Sequence, residues 1–308
     1  MPEPGKPPRN ALLIVNPAAG QGRSHDTYRV LEAAIKPMVA EVLVTQGIGD
    51  AQAAARQAAE HTGQFDAVLV AGGDGTINEV INGLLAGQPD CRSPLPLGIL
   101  PLGTQNMLAE ELAIPAGNTD TILSTLSGGN TKIIDLGCAD GRFFALMAGF
   151  GFDAAVVRDV ARPIKELIGP AAYAFASLGT LAKYHSTSLR LRLDDEQITA
   201  EAYLVVIANA ATYAYRQIKL TPFASMTDGW LDICVFERAP TDKVGFVTQI
   251  MAVMAGRHLH DPRVRYYRAR KIVVESSPAI EGQLDGDAVL VTPLTIDVKP
   301  QALAVFVP

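Results

Sequence analysis

The sequence predicts an α/β protein: an N-terminal doubly wound, mostly parallel sheet domain followed by a mostly antiparallel, β-sandwich-like domain with inserted helices. Three observations carry that expectation. Short, nearly continuous apolar runs early in the chain read as strands covered on both faces. Helical patterns lie between them, and strands alternating with helices imply a parallel sheet with right-handed crossovers. Beyond about residue 135 the rhythm changes to short strands with period-two alternation, the pattern of a half-covered antiparallel sheet. The domains are therefore expected at 11–135 and 136–308, after a flexible, Pro-rich 1–10, with the extreme C-terminus free to return to the first domain.

The early apolar runs are "ALLIV" (Ala11 to Val15), "EVLV" (Glu41 to Val44), "AVLVA" (Ala67 to Ala71) and "LGIL" (Leu97 to Leu100). Residues 24–37 predict one helix and the Ala-rich Asp50 to His61 another. Ile77, Val80, Ile81, Leu84 and Leu85 recur at helical spacing and predict a single apolar stripe, with Gly87 just beyond its end. In the second domain the strands are "SLRLRL" (Ser188 to Leu193), "AYLVVIANA" (Ala202 to Ala210), "LDICVF" (Leu231 to Phe236), "KIVVE" (Lys271 to Glu275) and "LTIDV" (Leu294 to Val298). Helical segments interrupt them at 153–185 and 241–259, the second opened by Thr241 or Asp242 as N-cap.

Composition narrows the function. The 308 residues are 48% hydrophobic and 19% charged, enough for a sizeable core. A net charge of −6 leaves no basic footprint for a phosphate backbone, so no nucleic-acid partner is expected and the ligand should be small or lipidic. Cys91, Cys138 and Cys234 are far apart and outside any metal-ligand spacing, as a reducing compartment allows. "MPEPGKPPRN" lacks a signal-peptide core, and the uncharged Leu167 to Ala182 falls short of the ~20 residues that span a bilayer. The expectation is a cytoplasmic protein. The five histidines suggest neither a zinc site nor a triad.

Ligands of open α/β sheets bind beyond the carboxyl ends of the strands. Three glycine-bearing loops are expected on that edge: "NPAAGQG" (Asn16 to Gly22), "GGDGT" (Gly72 to Thr76) and "PLGTQN" (Pro101 to Asn106). Bare glycines let main-chain amides approach an anion, and a helix N-terminus behind them adds unpaired donors, so phosphate is indicated; tight turns alone would also use such glycines. The pattern GxxxxGK[ST] is absent, and a dinucleotide fingerprint fails because His25 stands where a third glycine should follow Gly20 and Gly22. A looser match, Gly149, Gly151 and Ala154, sits in the wrong half of the chain. Asp74 would repel phosphate unless a divalent cation or its water shell intervenes, which points to a metal nucleotide.

"NPAAGQG", "GGDGTINEVING", "PLGTQN", "KLTPFASMTDGWLD" (Lys219 to Asp232) and "QLDGD" (Gln283 to Asp287), in that order, resemble the diacylglycerol kinase catalytic-domain family, which includes bacterial lipid kinases and sphingosine kinases. The resemblance runs from about Ala11 to the C-terminus. "GGDGT" alone is shared with NAD kinases and phosphofructokinases; the flanking motifs point to the lipid kinases. It implies ATP and Mg²⁺ as cofactors, with Gly72, Gly73, Asp74, Gly75, Thr76, Ile77, Asn78 and Thr104 on the triphosphate. Asn16 and Thr45 would border the nucleotide, and Glu79 and Asn82 would support the loop. Asp228 matches a structural Mg²⁺ site, helped by backbone oxygens near Ser225 and Trp230. Asp285 and Asp287 match the aspartate and the glutamate of the family's DGE, so the catalytic candidates are Asp287 as base, Asp285 and Asp74.

The implied chemistry is in-line phosphoryl transfer, with a carboxylate of the second domain, facing the phosphate loops across a cleft, taking the proton of a lipid hydroxyl. "LDGDAV" also reads as an ordinary hairpin with a DG turn. The chain departs from the family twice: Asp287 is one methylene shorter than glutamate, and Met107 replaces an aspartate found in many bacterial members, though sphingosine kinases also lack an acid there. The expected partner is a membrane-derived lipid, met by transient association at the membrane surface; a homodimer is left open. Ile164, Leu167, Ile168, Tyr173, Phe175, Leu178 and Leu181 could line an acyl groove near Arg162, Lys165 and Lys183, and an ordinary core helix explains the same residues. The basic stretch Arg257, Arg263, Arg265, Arg268, Arg270 and Lys271 reads as a membrane-surface patch or a solvated face. A sphingoid-base kinase, an NAD kinase-like enzyme and a regulator without catalysis are the alternatives.

Overall fold

The computed structural model describes residues 6–19, 33–61, 63–116, 119–152, 154, 184–213 and 218–308. Two compact units emerge: Met1–Leu136 with Lys299–Pro308, and Gly137–Val298.

In the first unit β1 (Ala11–Val15), β2 (Val39–Val44), β3 (Ala67–Gly72) and β4 (Leu97–Pro101) form a parallel sheet in the order β4–β3–β1–β2. β1, β3 and β4 are buried throughout, which is why their sequences are continuous apolar runs rather than alternations. β2 lies at the end of the order and has no buried residue. The last part of β15 (Leu294–Phe306) adds a further parallel strand, Val305 lying opposite Leu97. Helix α1 (Asp50–Glu60) buries Ala51, Ala54, Ala55, Ala58 and Ala59. It packs against α2 (Asp74–Leu85) so closely that a Cβ at Gly83 would lie 2.3 Å from the Gln52 carbonyl oxygen. The apolar stripe expected of α2 is its buried side. Short α3 (Met107–Glu111) follows β4, and α4 (Thr119–Gly128), which the apolar pattern did not announce, contributes Ile122 and Leu126 to the core with Leu13, Leu69 and Phe306.

Register decides where the loops emerge. Val15 lies opposite Ala71, and Gly72 opposite Pro101, so β1, β3 and β4 end level with one another. The loops beginning at Asn16, Gly73 and Leu102 therefore share one edge of this sheet.

The strands of the second unit pair antiparallel. β5 (Thr131–Ala139) and β6 (Arg142–Phe144) form a hairpin that leads into β7 (Met147–Gly151). β8 (Thr187–Leu193) pairs with β9 (Glu196–Ala208), and β9 goes on to pair with β7 and with β10 (Leu231–Glu237). Its sequence records this change of surroundings: alternation up to Ala202, then an unbroken buried run. β11 (Val264–Ala269) extends β10, β12 (Lys271–Ser277) bridges β8 and β15, and β13 (Glu281–Leu284) joins β7 to β14 (Asp287–Val291). The core gathers Phe144, Phe150, Leu191, Val205, Ile233, Ile272 and Ile296.

Helix α5 (Lys243–Met254) begins after Asp242, yet that carboxylate caps nothing. It accepts from the Tyr203 hydroxyl and from Arg238 instead. The Gly149–Gly151 match to a dinucleotide fingerprint also falls away, because these glycines sit in β7, which pairs antiparallel with β9 rather than in a parallel βαβ unit. Gly20, Gly22 and His25, most of the helix expected at 24–37, and the apolar segment from Arg162 to Lys183 lie outside the described residues.

Candidate active site

At the edge of the parallel sheet the glycines fall into two kinds. A Cβ at Gly72 would lie 2.8 Å from the Thr76 Cβ, and one at Gly103 would lie 2.6 Å from the Gly73 Cα. Gly72 is thus bare beneath the Thr76 side chain, and Gly73 and Gly103 because the backbones of the two loops pack on one another, tied by the Leu102 amide donating to the Gly72 carbonyl at 3.0 Å. Gly75 is different. It is exposed, a Cβ there meets nothing within 4 Å, and its φ is not left-handed. Neither packing nor backbone conformation requires glycine at 75, and its amide belongs to a first helical turn, where N–H groups have no partner within the helix. Space at this position is open.

The polar residues brace this edge. Asn16 donates from Nδ2 to the Thr76 hydroxyl at 2.8 Å and accepts the Ala18 amide on Oδ1 at 3.0 Å. The buried Thr45 donates its amide to the Val15 carbonyl at 2.8 Å. Glu79 accepts the Gly49 amide at 3.1 Å, and Asn82 donates to both oxygens of Asn78 at 3.0 Å. Thr104 is exposed. Ile77 offers neither group to a ligand, since its side chain is in the core and its amide donates to the Gly73 carbonyl at 3.0 Å. Sequence reading missed Asn106: in a left-handed conformation at the cap of α3, it accepts the Gly103 amide and donates to the Gly103 carbonyl, each at 2.8 Å, closing the third loop on itself.

Asp74 stands at the first position of α2 with its carboxylate turned to the N-terminus of α3, where Oδ1 accepts the Leu108 amide at 3.3 Å. Burial pushes its pKa up, and main-chain N–H groups at Met107, Leu108 and Asn106 pull it back. Met107, which brings no charge of its own, supplies one of the amides that hold Asp74.

In the second unit Asp285 and Gly286 form the two-residue turn between β13 and β14, with φ of 46° and 92°. Both are left-handed, as such hairpin turns demand. The Asp285 carboxylate accepts three amides, from Ala145 at 2.8 Å and from Leu146 and Met147 at 2.9 Å each. Its own amide donates to the Met147 carbonyl at 3.0 Å, and Gly286 donates to Gln283 Oε1 at 2.7 Å. Asn209, fully buried, donates to the Ala145 carbonyl at 2.8 Å and so fixes the far side of the same segment. Asp285 therefore holds the turn in place, and half-buried Asp287 begins β14 directly after it.

Two family models match the chain. Residues 10–139 match the diacylglycerol kinase catalytic domain, and residues 147–307 match the YegS C-terminal NAD kinase beta sandwich-like domain. The chain belongs to the diacylglycerol kinase catalytic-domain family. Within that family it is similar to the diacylglycerol kinase of Bacillus subtilis (strain 168), 29% identical over 91% of this chain and 90% of the relative. It is likewise similar to that of Staphylococcus epidermidis (strain RP62A), 30% identical over 91% and 86%. A crystal structure of a diacylglycerol kinase from Bacillus anthracis str. Sterne shares the fold with a TM-score of 0.73 at 24% identity, covering 97% of each chain.

The loop expected to hold a structural Mg²⁺ is closed by the protein's own side chains. Asp228 Oδ1 accepts the Trp230 amide at 3.1 Å, and Oδ2 is paired with Arg268. The Ser225 hydroxyl lies 3.3 Å from that of Thr227. Of the basic stretch, Arg263 pairs with Asp261 at 3.4 Å, Arg265 with Glu237, and Arg268 with Asp228. Buried His258 donates from Nε2 to the Leu220 carbonyl at 3.0 Å and stacks on Phe236.

Proposed function

We propose that the protein is an ATP-dependent lipid kinase that transfers the γ-phosphate to a hydroxyl of a diacylglycerol-like lipid. The observation that carries this reading is Gly75: alone in its loop it is bare for no internal reason, beside first-turn amides suited to an anion. The loops would hold the phosphates through Gly75 and Thr76, with Asn16 fixing the Thr76 hydroxyl and Thr104 exposed on the third loop. Magnesium ATP, when bound, supplies the phosphoryl group and neutralises charge that develops on it. Asp74, already satisfied by amides, orients the third loop and would meet a cation through water rather than as a direct ligand.

Asp287 takes the proton of the lipid hydroxyl as general base. Its backbone is placed by the turn that Asp285 clamps, which gives the shorter side chain a fixed starting point. No described helix is long and apolar enough to cross a membrane. Access to lipid is therefore proposed through transient surface association, and α5, which exposes Val244, Met251 and Met254, supports it.

The test is radiolabelled ATP with a panel of diacylglycerol, monoacylglycerol, phosphatidylglycerol, ceramide, sphingoid bases and NAD. Labelled diacylglycerol that disappears in Asp287→Ala is the expected result. Label on NAD and on no lipid would move the protein to the NAD kinase-like reading. ATP binding with no labelled acceptor would mark a regulator.

A further inference from the structure

Two carboxylates, Asp228 in the loop before β10 and Asp232 within the strand, share one guanidinium. Asp232 is fully buried in β10, and the antiparallel register sets Arg268 of β11 directly opposite it. Arg268 Nε lies 3.4 Å from Asp232 Oδ1, and the Tyr266 hydroxyl donates to that same oxygen at 2.8 Å. Asp232 Oδ2 is buried with no hydrogen-bond partner among the described residues, so this carboxylate leans on the same cation for its charge balance. The other end of the guanidinium pairs with Asp228 Oδ2, while Asp228 Oδ1 closes its short turn on the Trp230 amide. The Trp230 ring carries Arg268 at 5.6 Å and Arg270 at 4.5 Å from its centre, which holds both side chains in place.

A divalent ion and a guanidinium cannot both be well served by one carboxylate. Asp228 has one oxygen committed to an amide and the other to an arginine, and a second arginine stands over the neighbouring ring. A cation arriving here would face like charge on two sides. We infer that Arg268 is the resident counter-charge of this loop, taking the place that the family resemblance gives to a structural Mg²⁺ bound at Asp228. The planar fork of arginine suits this role, since it can reach two carboxylates at once and keeps its charge at every working pH. Arg268 thus fixes the turn from Ser225 to Trp230 and the start of β10 without any ion.

The experiment is thermal unfolding of the nucleotide-free, full-length protein in excess EDTA and in millimolar MgCl₂ at matched ionic strength, with calorimetric titration of Mg²⁺. The readout does not depend on kinase activity, so it stands or falls apart from the proposed reaction. Wild type should unfold at the same temperature in both buffers. Arg268→Ala should unfold several degrees lower in EDTA and regain part of that loss in MgCl₂, with Mg²⁺ binding that wild type lacks. Asp228→Asn should be equally destabilised in both buffers, and the double variant should lose less than the sum of the two, the signature of a direct pair. A wild-type midpoint that rises with Mg²⁺ and falls on chelation, with the rise abolished in Asp228→Asn, would overturn the inference. So would an Arg268→Ala protein as stable as wild type. Should Arg268→Ala not fold, Arg268→Lys in EDTA decides: a partial loss of midpoint supports the pair, and no loss overturns it.

Discussion

The dipeptide Asp-Gly occurs at both candidate sites and is folded in opposite ways. Asp74–Gly75 follows the fully buried β3 and opens a helix, so Gly75 has no left-handed φ. Asp285–Gly286 joins two antiparallel strands and takes left-handed values at both residues. The carboxylates nevertheless do the same work, each accepting main-chain amides from a segment elsewhere in its own unit: the cap of α3 for Asp74, and residues 145–147 for Asp285. An aspartate spent in this way stabilises the backbone and is poorly placed to act on a substrate. Under the proposed function the chemistry passes to a neighbour, the open Gly75 in one case and Asp287 in the other.

That division is most easily broken at the hairpin. Asp287→Asn should lower kcat by about 10²–10⁴-fold, the usual contribution of a general base, and should disturb unfolding less than the loss of Asp285 does. Asp285→Ala leaves three amides without their acceptor and should cost about 3 kcal/mol of unfolding free energy, with activity falling as the turn loosens. Denaturant melts and steady-state rates on both variants check this. If Asp285→Ala were inactive but as stable as wild type, Asp285 would be a reacting group and the parallel with Asp74 would fail.

How much of this can be read in the residues differs between the two turns. The buried strands and the stripe of α2 are legible because a two-sided strand and an amphipathic helix leave unmistakable periods. "GGDGT" announces an anion loop, but which glycine faces a ligand is not legible: Gly72, Gly73 and Gly75 are identical in sequence and separated only by what lies opposite each Cβ. Asn106 is hidden for a related reason, since its partners belong to its own loop and a left-handed asparagine carries no pattern. The "LDGD" turn reads both as a hairpin signal and as a functional motif, and the structure lets it be both. Nothing in "TDGWLD" foretells Arg268, because the pairing of Asp228 with a residue on β11 depends on a register that sequence spacing does not encode.

The glycines sharpen the same contrast on a smaller scale. Gly103→Ala drives a Cβ into the Gly73 backbone, 2.6 Å away, and should destabilise by about 1–3 kcal/mol, as overpacking does. Gly75→Ala meets nothing and should leave stability unchanged or raise it by up to about 1 kcal/mol, the helix preference of alanine over glycine. Its loss should appear instead in nucleotide affinity, by about tenfold or more, or about 1.4 kcal/mol. Calorimetric titration of ATP against both variants, beside their melting curves, separates the two roles. A Gly75→Ala protein that binds ATP as wild type does would remove the open cradle from the site.

The smallest effect is the pH dependence of Asp74. Burial raises its pKa above the ordinary aspartate range despite the amides that oppose it. The folded protein therefore holds this proton more tightly than the unfolded chain. The resulting stabilisation is fully present below the unfolded pKa and is lost as pH rises through the folded one. Asp232 is raised as well, with the same sign, so the whole-protein curve mixes the two. Subtracting Asp74→Asn isolates the first, since asparagine keeps an acceptor for the Leu108 amide and cannot ionise. The stability of wild type relative to Asp74→Asn, from urea melts at closely spaced pH, should decline as pH climbs out of the acid range, by about 1.4 kcal/mol for every tenfold by which folding tightens the hold on that proton. A difference that grows with pH would mean that the amides outweigh burial and that the native state favours the charged form. Asp74 would then be a true anion seat for its own carboxylate, and the case for sharing that edge with phosphate would need the intervening cation after all.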